Sequence, residues 1–430
     1  MQIKQCKNCN QPFTVTDTDE AFYKTLSPTF AGKLYLIPSP TFCPSCRAIR
    51  RLAYRNENKL YRRKSDFSGK EMISVFRPDS PYKIYTRDEW WSDKWDALNC
   101  AQNPNPNTNP DPDLDKLFFD QFASLQLKVP RPPLINNKAE NSEYCNFADG
   151  NKNCYMVTSA NRNEDCYYGF LLVENTSCID CLWCTNSELC YECVDCRHCY
   201  NTDHAQDCEN CVDSAYLYNC RGLNNCLLCV NLNNVRYHIK NRPYERNEYF
   251  KAIKAAKADP TLAAMEFEKV KQEFNIRKSA TLISCDACIG NNIFHSKNIH
   301  EGFDVYDSED SAYLHDGLKA TDCQDICFFD GTELCYESTS LIGYGYRFTN
   351  FCRDSYNLFY CDNCHSCKNC FGCIGLKRKE YCVLNKQYEQ NEYEKTCAAL
   401  IDHMIKTGEW GEFFPVNKSL FPLEDTLAVD

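Results

Sequence analysis

Two cysteine pairs near the N-terminus carry the strongest chemical signal in the sequence. Cys6 and Cys9 form one Cys-x-x-Cys pair, and Cys43 and Cys46 form a second. Four thiolates at this spacing can close a tetrahedral zinc site, which then has no open position for a substrate. The pattern predicts zinc as the cofactor in a structural role. The alternative is four buried thiols without a metal.

The total cysteine content needs a separate explanation. The chain has 33 cysteines in 430 residues, a density typical of secreted disulfide proteins. The odd number, the Cys-x-x-Cys spacing and a start without an apolar segment favour reduced thiols in the cytoplasm instead. No apolar run approaches the roughly 18 residues that a membrane span needs, so no membrane association is predicted.

A short period appears from Cys145 onward and predicts the fold. Cys154, Cys166, Cys178 and Cys190 step by 12 residues, and the cysteines up to Cys229 lie at multiples of three. A fixed short period is the signature of a coil that stacks on itself. The fold class predicted is mainly β, with an N-terminal treble-clef or zinc-ribbon module followed by a cysteine-rich β-solenoid.

The solenoid is duplicated. Residues 187–192, Ser-Glu-Leu-Cys-Tyr-Glu, return 145 residues later as Thr-Glu-Leu-Cys-Tyr-Glu at 332–337. Helical patterns that follow each copy predict capping helices, the last one closed by Gly408. The predicted divisions are a zinc module with a basic helix (1–64), a tryptophan-containing connector with an Asn/Pro-rich linker and a short helix (65–140), solenoid copy 1 (141–242), a helical insertion (243–280), solenoid copy 2 (281–387) and a C-terminal helix and tail (388–430).

The duplication tests whether the solenoid cysteines bind metal. At the offset of 145, Cys154 and Cys181 correspond to Ile299 and Ile326. Isoleucine cannot replace a metal ligand, whereas it can replace a thiol packed as a small hydrophobe. Interior packing is therefore the favoured interpretation. Further zinc or iron–sulfur sites stay open, and the densest candidates are Cys190, Cys193, Cys196, Cys199, Cys361, Cys364, Cys367 and Cys370.

One segment concentrates positive charge in a chain of net charge −11. Residues 46–64 carry a local charge of +7, with arginines interleaved with tyrosines on a predicted zinc-anchored helix. Such a surface suits phosphate contact and base stacking. Two alternatives are a solvated basic face and a face that docks on the protein's own acidic solenoid. The candidate nucleic-acid-binding residues are Arg47, Arg50, Arg51, Tyr54, Arg55, Lys59, Tyr61, Arg62, Arg63 and Lys64.

No enzyme class emerges from the remaining motifs. His365 lies beside Cys364, but adjacent residues on a strand point to opposite faces. The sequence has no glycine-rich phosphate loop, nucleophile elbow or paired zinc-hydrolase histidines. We therefore predict no catalytic residues.

Several segments together resemble a known family. The Cys43 and Cys46 pair followed by residues 47–57 (Arg-Ala-Ile-Arg-Arg-Leu-Ala-Tyr-Arg-Asn-Glu), the tryptophan motif at 90–95, Pro-Arg-Pro at 130–132 and residues 407–414 are similar to cysteine-rich zinc-ribbon proteins common in candidate-phyla-radiation bacteria (Patescibacteria). The resemblance covers nearly the whole chain. It implies a bacterial cytosolic protein and no catalytic activity.

Three hypotheses for function follow. The first is a non-enzymatic zinc protein that binds RNA or a ribonucleoprotein through residues 47–64. The second is a protein-interaction scaffold whose partner lies on the solenoid face, with the basic helix used internally. The third is a metal-cluster or redox protein that uses the solenoid thiols.

Overall fold

The computed structural model describes residues 1–101, 111–191, 203–206, 212–256, 259–274 and 279–429. It confirms a mainly β fold in which an N-terminal module and a connector precede two β-solenoids, each followed by helices. The linker predicted at 103–112 falls largely outside the described residues. In the described helices, no segment is long and apolar enough to cross a membrane.

The N-terminal module is built from two small hairpins and two helices. The strands pair antiparallel, and the second helix begins at Pro44 as the sequence predicts. Helix α1 was not predicted, although Thr16 caps it through a reciprocal bond with Asp19. The elements are β1 (Gln2–Gln5), β2 (Pro12–Val15), α1 (Asp17–Leu26), β3 (Thr29–Phe30), β4 (Lys33–Leu34) and α2 (Pro44–Leu52).

The connector joins the module to the first solenoid and corrects the predicted boundary at residue 64. Strand β5 pairs antiparallel with β6, so one hairpin spans that boundary. The predicted basic helix likewise ends at Leu52, and the end of the basic segment is strand β5. The elements are β5 (Tyr61–Lys64), β6 (Glu71–Ser74), α3 (Arg87–Trp91), α4 (Ala97–Ala101) and α5 (Phe118–Gln126).

Solenoid copy 1 stacks parallel strands with a register of 12 residues. Asn146 pairs with Thr158, and Tyr155 pairs with Tyr167. The final hairpin of the copy is antiparallel and closes the stack. The strands are β7 (Asn136–Asn137), β8 (Asn146–Asp149), β9 (Tyr155–Asn161), β10 (Tyr167–Phe170), β11 (Asp203–Gln206), β12 (Ala215–Tyr218), β13 (Asn224–Val230), β14 (Arg236–Ile239) and β15 (Arg242–Pro243).

A three-residue unit explains the cysteine spacing. Cys154, Val157, Ala160 and Asn163 point into one coil from its four sides, and all are at most 2% exposed. The residue before each has a φ between 52° and 54°, which turns the chain at every side. The coil therefore repeats a corner every three residues, and cysteine fits the interior as a small apolar side chain.

Polar interior positions are satisfied by ladders. Asn163 donates from Nδ2 to Oδ1 of Asn151 at 3.0 Å and to the carbonyl of Leu172 at 2.9 Å. Asn175 repeats both bonds one coil later, at 3.1 Å and 2.8 Å. Because buried amides are costly without partners, these bonds allow asparagine to occupy one interior column.

Solenoid copy 2 is longer and has the same parallel topology. Most strand pairs keep the 12-residue register, while Ile342 pairs with Arg353 at a bulge that shortens one coil to 11. The strands are β16 (Leu282–Ile283), β17 (Ile289–Phe294), β18 (Lys297–Tyr306), β19 (Glu309–Thr321), β20 (Gln324–Glu333), β21 (Tyr336–Arg347), β22 (Arg353–Phe359), β23 (Lys368–Phe371), β24 (Glu380–Val383) and β25 (Lys386–Gln387).

Each copy ends in the helices that the sequence predicts. They are α6 (Arg246–Ala256) and α7 (Pro260–Glu273) after copy 1, and α8 (Gln390–Thr407) after copy 2. Tyr237 packs on Tyr249 with ring centroids 5.6 Å apart, and Tyr381 on Tyr393 at the same distance. The two capping arrangements are therefore structural repeats. Gly408 ends α8 in a left-handed conformation, with φ of 76°.

The hydrophobic core divides unequally. The interior of copy 2 is continuous with the apolar residues of the module, α5, α8 and the C-terminal tail. Copy 1 has a separate interior built largely from cysteines. The module therefore folds onto copy 2.

Candidate metal centre

The four predicted zinc ligands lie together in the module. Cys6 and Cys9 lie in the turn between β1 and β2, Cys43 is the N-cap of α2, and Cys46 is in its first turn. Their four sulfur atoms all lie within 4.8 Å of one another. The cluster could hold a metal ion, and no other group of this kind occurs among the residues that the structure describes.

The geometry of the thiols fits a tetrahedral metal. The Sγ atoms of Cys9 and Cys43 are 3.8 Å apart, close to the edge of about 3.8 Å expected for four sulfurs at about 2.3 Å from zinc. The amide of Cys43 donates to Sγ of Cys6 at 3.3 Å, and Asn8 Nδ2 donates to Sγ of Cys46 at 3.3 Å. Such bonds stabilise thiolate ligands.

The electrostatics of Cys6 favour its thiolate. Burial opposes ionisation, but the backbone amides of Cys9, Cys43 and Asn8 lower the pKa of the Cys6 thiol to about 6. A thiolate is the form that coordinates metal. With four cysteines around it, the ion would have no open coordination position, so the centre can stabilise the module but cannot activate a substrate.

Helix α2 connects this centre to solenoid copy 2. Arg47, Arg50 and Arg51 follow the second cysteine pair and lie on one face of α2, because residues three and four apart are neighbours on a helix. They are 1%, 6% and 1% exposed, so the face is buried.

Three carboxylates of the C-terminal half meet these arginines. Asp325 Oδ2 lies 2.8 Å from Nη2 of Arg47, and Asp325 Oδ1 lies 3.3 Å from Nη1 of Arg51. Glu337 contacts Arg50 at 3.0 Å, and Glu412 contacts the same arginine at 2.8 Å. We call this network of Arg47, Arg50, Arg51, Asp325, Glu337 and Glu412 the arginine clamp.

Arg55 ties the module to both solenoid copies. Its guanidinium carbon lies 3.7 Å from the ring centroid of Phe147 in copy 1 and 3.5 Å from that of Phe328 in copy 2. The same group bonds to Glu57, to Ser340 of copy 2 and to Ser159 of copy 1. Its charge is thus compensated at the junction of the two copies.

These contacts correct the predicted nucleic-acid surface. Arg47, Arg50, Arg51, Tyr54 and Arg55 are buried within the protein, so their side chains are not available for phosphate contact or base stacking. These five residues fit the alternative in which the basic segment docks on the protein's own solenoid.

The rest of the basic segment is divided between buried and exposed positions. Arg63 is buried and bonds to Asp66 and to the carbonyl of Arg77. Tyr61 is half-buried and donates to Asp425. Lys59, Arg62 and Lys64 are exposed.

The sequence leaves further metal sites among the solenoid cysteines open beside the favoured interpretation of interior packing. Cys361, Cys364, Cys367 and Cys370 are at most 1% exposed and donate to backbone carbonyls inside copy 2, and they do not form a metal-binding group. Cys190 is buried in the same way in copy 1. Cys193, Cys196 and Cys199 lie outside the described residues.

A tryptophan cage was missed by sequence reasoning. Lys377 of copy 2 lies 4.3 Å from the ring centroid of Trp90, 4.4 Å from that of Trp95 and 5.5 Å from that of Trp91. His365 packs on Trp90 and Trp91, with ring centroids 5.6 Å and 5.0 Å away. The dense tryptophan motif at 90–95 was the available signal, but its lysine partner is distant in sequence.

The structure also shows an exposed aromatic face on copy 1, which we call the tyrosine face. In it, Tyr155, Tyr167, Ile179 and Tyr191 are paired in register on successive coils, and each is 38–40% exposed. Tyr168 and Asp180 lie beside this column and are also exposed. The 12-residue period contains this column, but the sequence analysis considered only the cysteines.

Comparisons with known proteins do not add an assignment. No protein-family model matches the chain, and no curated protein sequence is similar to it.

Proposed function

We propose that this protein is a non-enzymatic, zinc-stabilised scaffold that binds a protein partner on the tyrosine face of solenoid copy 1. The observation that carries the proposal is the burial of the arginine clamp. The module uses its basic helix to hold copy 2, so Arg47, Arg50 and Arg51 are not available to an external ligand. Four cysteine donors at tetrahedral spacing favour zinc as the metal.

The tyrosine face supplies the binding surface. An apolar patch that follows one side of several coils is typical of protein interaction sites. Tyrosine contributes a large apolar area with a polar end, which suits an interface that is dry at its centre. The described residues place no helix over this column, whereas α7 covers later coils of copy 1 through Phe267 and Tyr216, with ring centroids 5.8 Å apart.

Site-specific photo-crosslinking tests the proposal. A benzophenone amino acid at position 167 of the full chain should crosslink one protein in the native host. The matched control is position 162, because Arg162 is exposed on another side of the same solenoid. Tyr155→Ala should weaken the crosslink. No crosslink at 167, or equal crosslinking at 162, contradicts the scaffold function.

Binding of RNA or a ribonucleoprotein is a second candidate, now confined to the exposed cations. Lys59, Arg62 and Lys64 are exposed beside Tyr61. If all three contact single-stranded RNA, the log–log dependence of affinity on salt should have a slope of about −2. RNA binding at low salt that disappears after Arg62→Gln and Lys64→Gln would place this candidate first. Equal affinity in that variant would remove it.

A further inference from the structure

Copy 2 contains a binding site for one arginine of the clamp, which we call the arginine site. Asp325 Oδ2 lies 2.8 Å from Nη2 of Arg47, and the guanidinium carbon lies 5.2 Å from the ring centroid of Tyr313. Tyr336 completes the surface by packing against Tyr23 of α1, with ring centroids 5.2 Å apart. An aromatic face and a carboxylate together bind a guanidinium by stacking and by charge.

The internal duplication repeats the residues of this arginine site in copy 1. At positions 145 residues earlier than Tyr313, Asp325 and Tyr336 stand Tyr168, Asp180 and Tyr191, so all three residue types are retained. Glu337 likewise corresponds to Glu192, which lies outside the described residues.

The backbone conformation is repeated as well. The φ angles of Tyr168 and Tyr313 are 53° and 56°, and those of Asp180 and Asp325 are 54° and 55°. Each pair therefore occupies the same left-handed corner of its three-residue unit. Tyr168 and Asp180 lie one coil apart, as Tyr313 and Asp325 do, because both pairs are separated by 12 residues.

The arginine site of copy 2 and the equivalent residues of copy 1 differ in what covers them. Asp325 is 0% exposed beneath the module, whereas Tyr168 is 54% exposed and Asp180 is exposed. Within the described part of the chain, Asp180 forms no ion pair. Glu143 is also exposed near this face, so the surface complements a cation rather than a polyanion.

We infer that copy 1 carries a second arginine site, at Tyr168 and Asp180, and that the tyrosine face binds a partner helix presenting arginine beside apolar side chains. Helix α2 is the example of the arginine contact, since it presents Arg47 to the equivalent site of copy 2. The apolar side chains of the partner are inferred from the exposed column of Tyr155, Tyr167 and Ile179. This inference rests on the proposed scaffold function and names the chemistry of its partner. The arginines of the chain's own α2 are engaged in the clamp, so this helix is not free to occupy the site on a second copy, which favours a different protein.

A synthetic peptide with the sequence of α2 provides the probe. Residues 43–58, labelled with fluorescein and carrying serine at positions 43 and 46, should bind the full-length protein in a fluorescence anisotropy titration. Binding should weaken with salt because the contact is partly ionic. The same peptide with Arg47→Gln, Arg50→Gln and Arg51→Gln should bind at least fivefold more weakly.

Variants of copy 1 locate the contact. Asp180→Asn should weaken peptide binding about fivefold, and Tyr168→Ala should do the same while Tyr168→Phe retains affinity, because phenylalanine keeps the aromatic face. The control is Glu174→Gln, which removes an exposed carboxylate from another side of the solenoid that pairs with Arg162. This control should leave the affinity unchanged.

Three outcomes would overturn the inference. The first is the absence of peptide binding, and the second is peptide binding whose affinity is unchanged by Asp180→Asn. The third is self-association of the protein, measured by sedimentation, that Asp180→Asn abolishes. The last would make a second copy the occupant. A crosslinked partner at position 167 that Asp180→Asn does not affect would retain the scaffold function and reject only the arginine site.

Discussion

Removing one carboxylate from the arginine clamp should release the N-terminal module. Asp325 contacts Arg47 at 2.8 Å and Arg51 at 3.3 Å, and its side chain is fully buried. The substitution Asp325→Asn keeps the size of the side chain and removes its charge. Three clamp arginines would then face only Glu337 and the partly exposed Glu412.

The magnitude follows from the charge balance of the clamp. The native network sets three arginines against three carboxylates, so the substitution leaves one positive charge without compensation. Breaking a buried ion pair by removing one partner costs about 3–5 kcal/mol, because the remaining charge stays away from water. We expect the equilibrium for undocking of the module to shift by at least about a hundredfold.

Hydrogen–deuterium exchange measures this shift locally, which matters because a chain of several parts does not unfold in one step. Amides of α1 and α2 should exchange faster in Asp325→Asn, while strands of copy 1 keep their protection. The matched control is Asp180→Asn, the equivalent position in copy 1, where the carboxylate is exposed.

Two results would refute this reasoning. Unchanged protection of α2 in Asp325→Asn would show that the clamp does not hold the module. Equal effects of Asp325→Asn and Asp180→Asn on exchange in α2 would show that burial of the carboxylate does not determine the free energy of docking of the module.

Three further predictions concern the metal, one histidine and the solenoid thiols. Cys43→Ser should lose one metal equivalent by elemental analysis. Amides of α2 should then exchange faster, because the metal would no longer join the start of this helix to Cys6 and Cys9. Full metal retention would contradict the site. Burial, with Arg353 and Lys377 nearby, lowers the pKa of His365 to about 3. As pH falls, the histidine of the unfolded chain therefore binds a proton before that of the folded protein, and stability to urea should fall below about pH 6.5. His365→Gln should flatten that pH dependence. An unchanged pH profile in the variant would contradict the role of His365. Cys154→Val should cost less than about 1.5 kcal/mol, whereas Cys154→Asp should be severe because it buries an unpaired charge; loss of metal from the valine variant would refute interior packing.

Much of the fold was predictable because its signals are local or periodic. The spacing of Cys154, Cys166, Cys178 and Cys190 reports the length of a coil directly. Helix α2 was predictable from Pro44, because proline suits the first turn of a helix. The candidate metal site was predictable because each cysteine pair lies within one turn of the chain.

The accessibility of the basic segment was not predictable in the same way. Arginines beside tyrosines have the same pattern on a nucleic-acid surface and in a buried clamp. The difference lies in Asp325 and Glu337, which are 274 and 287 residues from their partners Arg51 and Arg50. The solenoid cysteines show the same difficulty, since the close spacing of Cys361 and Cys364 does not distinguish metal ligands from thiols that pack inside a coil and donate to backbone carbonyls.

The sequence by itself determined the repeat, its duplication, the capping helices and the four-cysteine cluster, because each depends on residues that are near in the chain or recur at a constant interval. Tertiary structure alone decided which charges are buried. Both solenoid copies carry a tyrosine and an aspartate at equivalent corners, yet only Tyr313 and Asp325 meet the module, while Tyr168 and Asp180 are exposed. Packing of one module against one of two similar surfaces gives identical residue types different environments, and local sequence does not encode that choice.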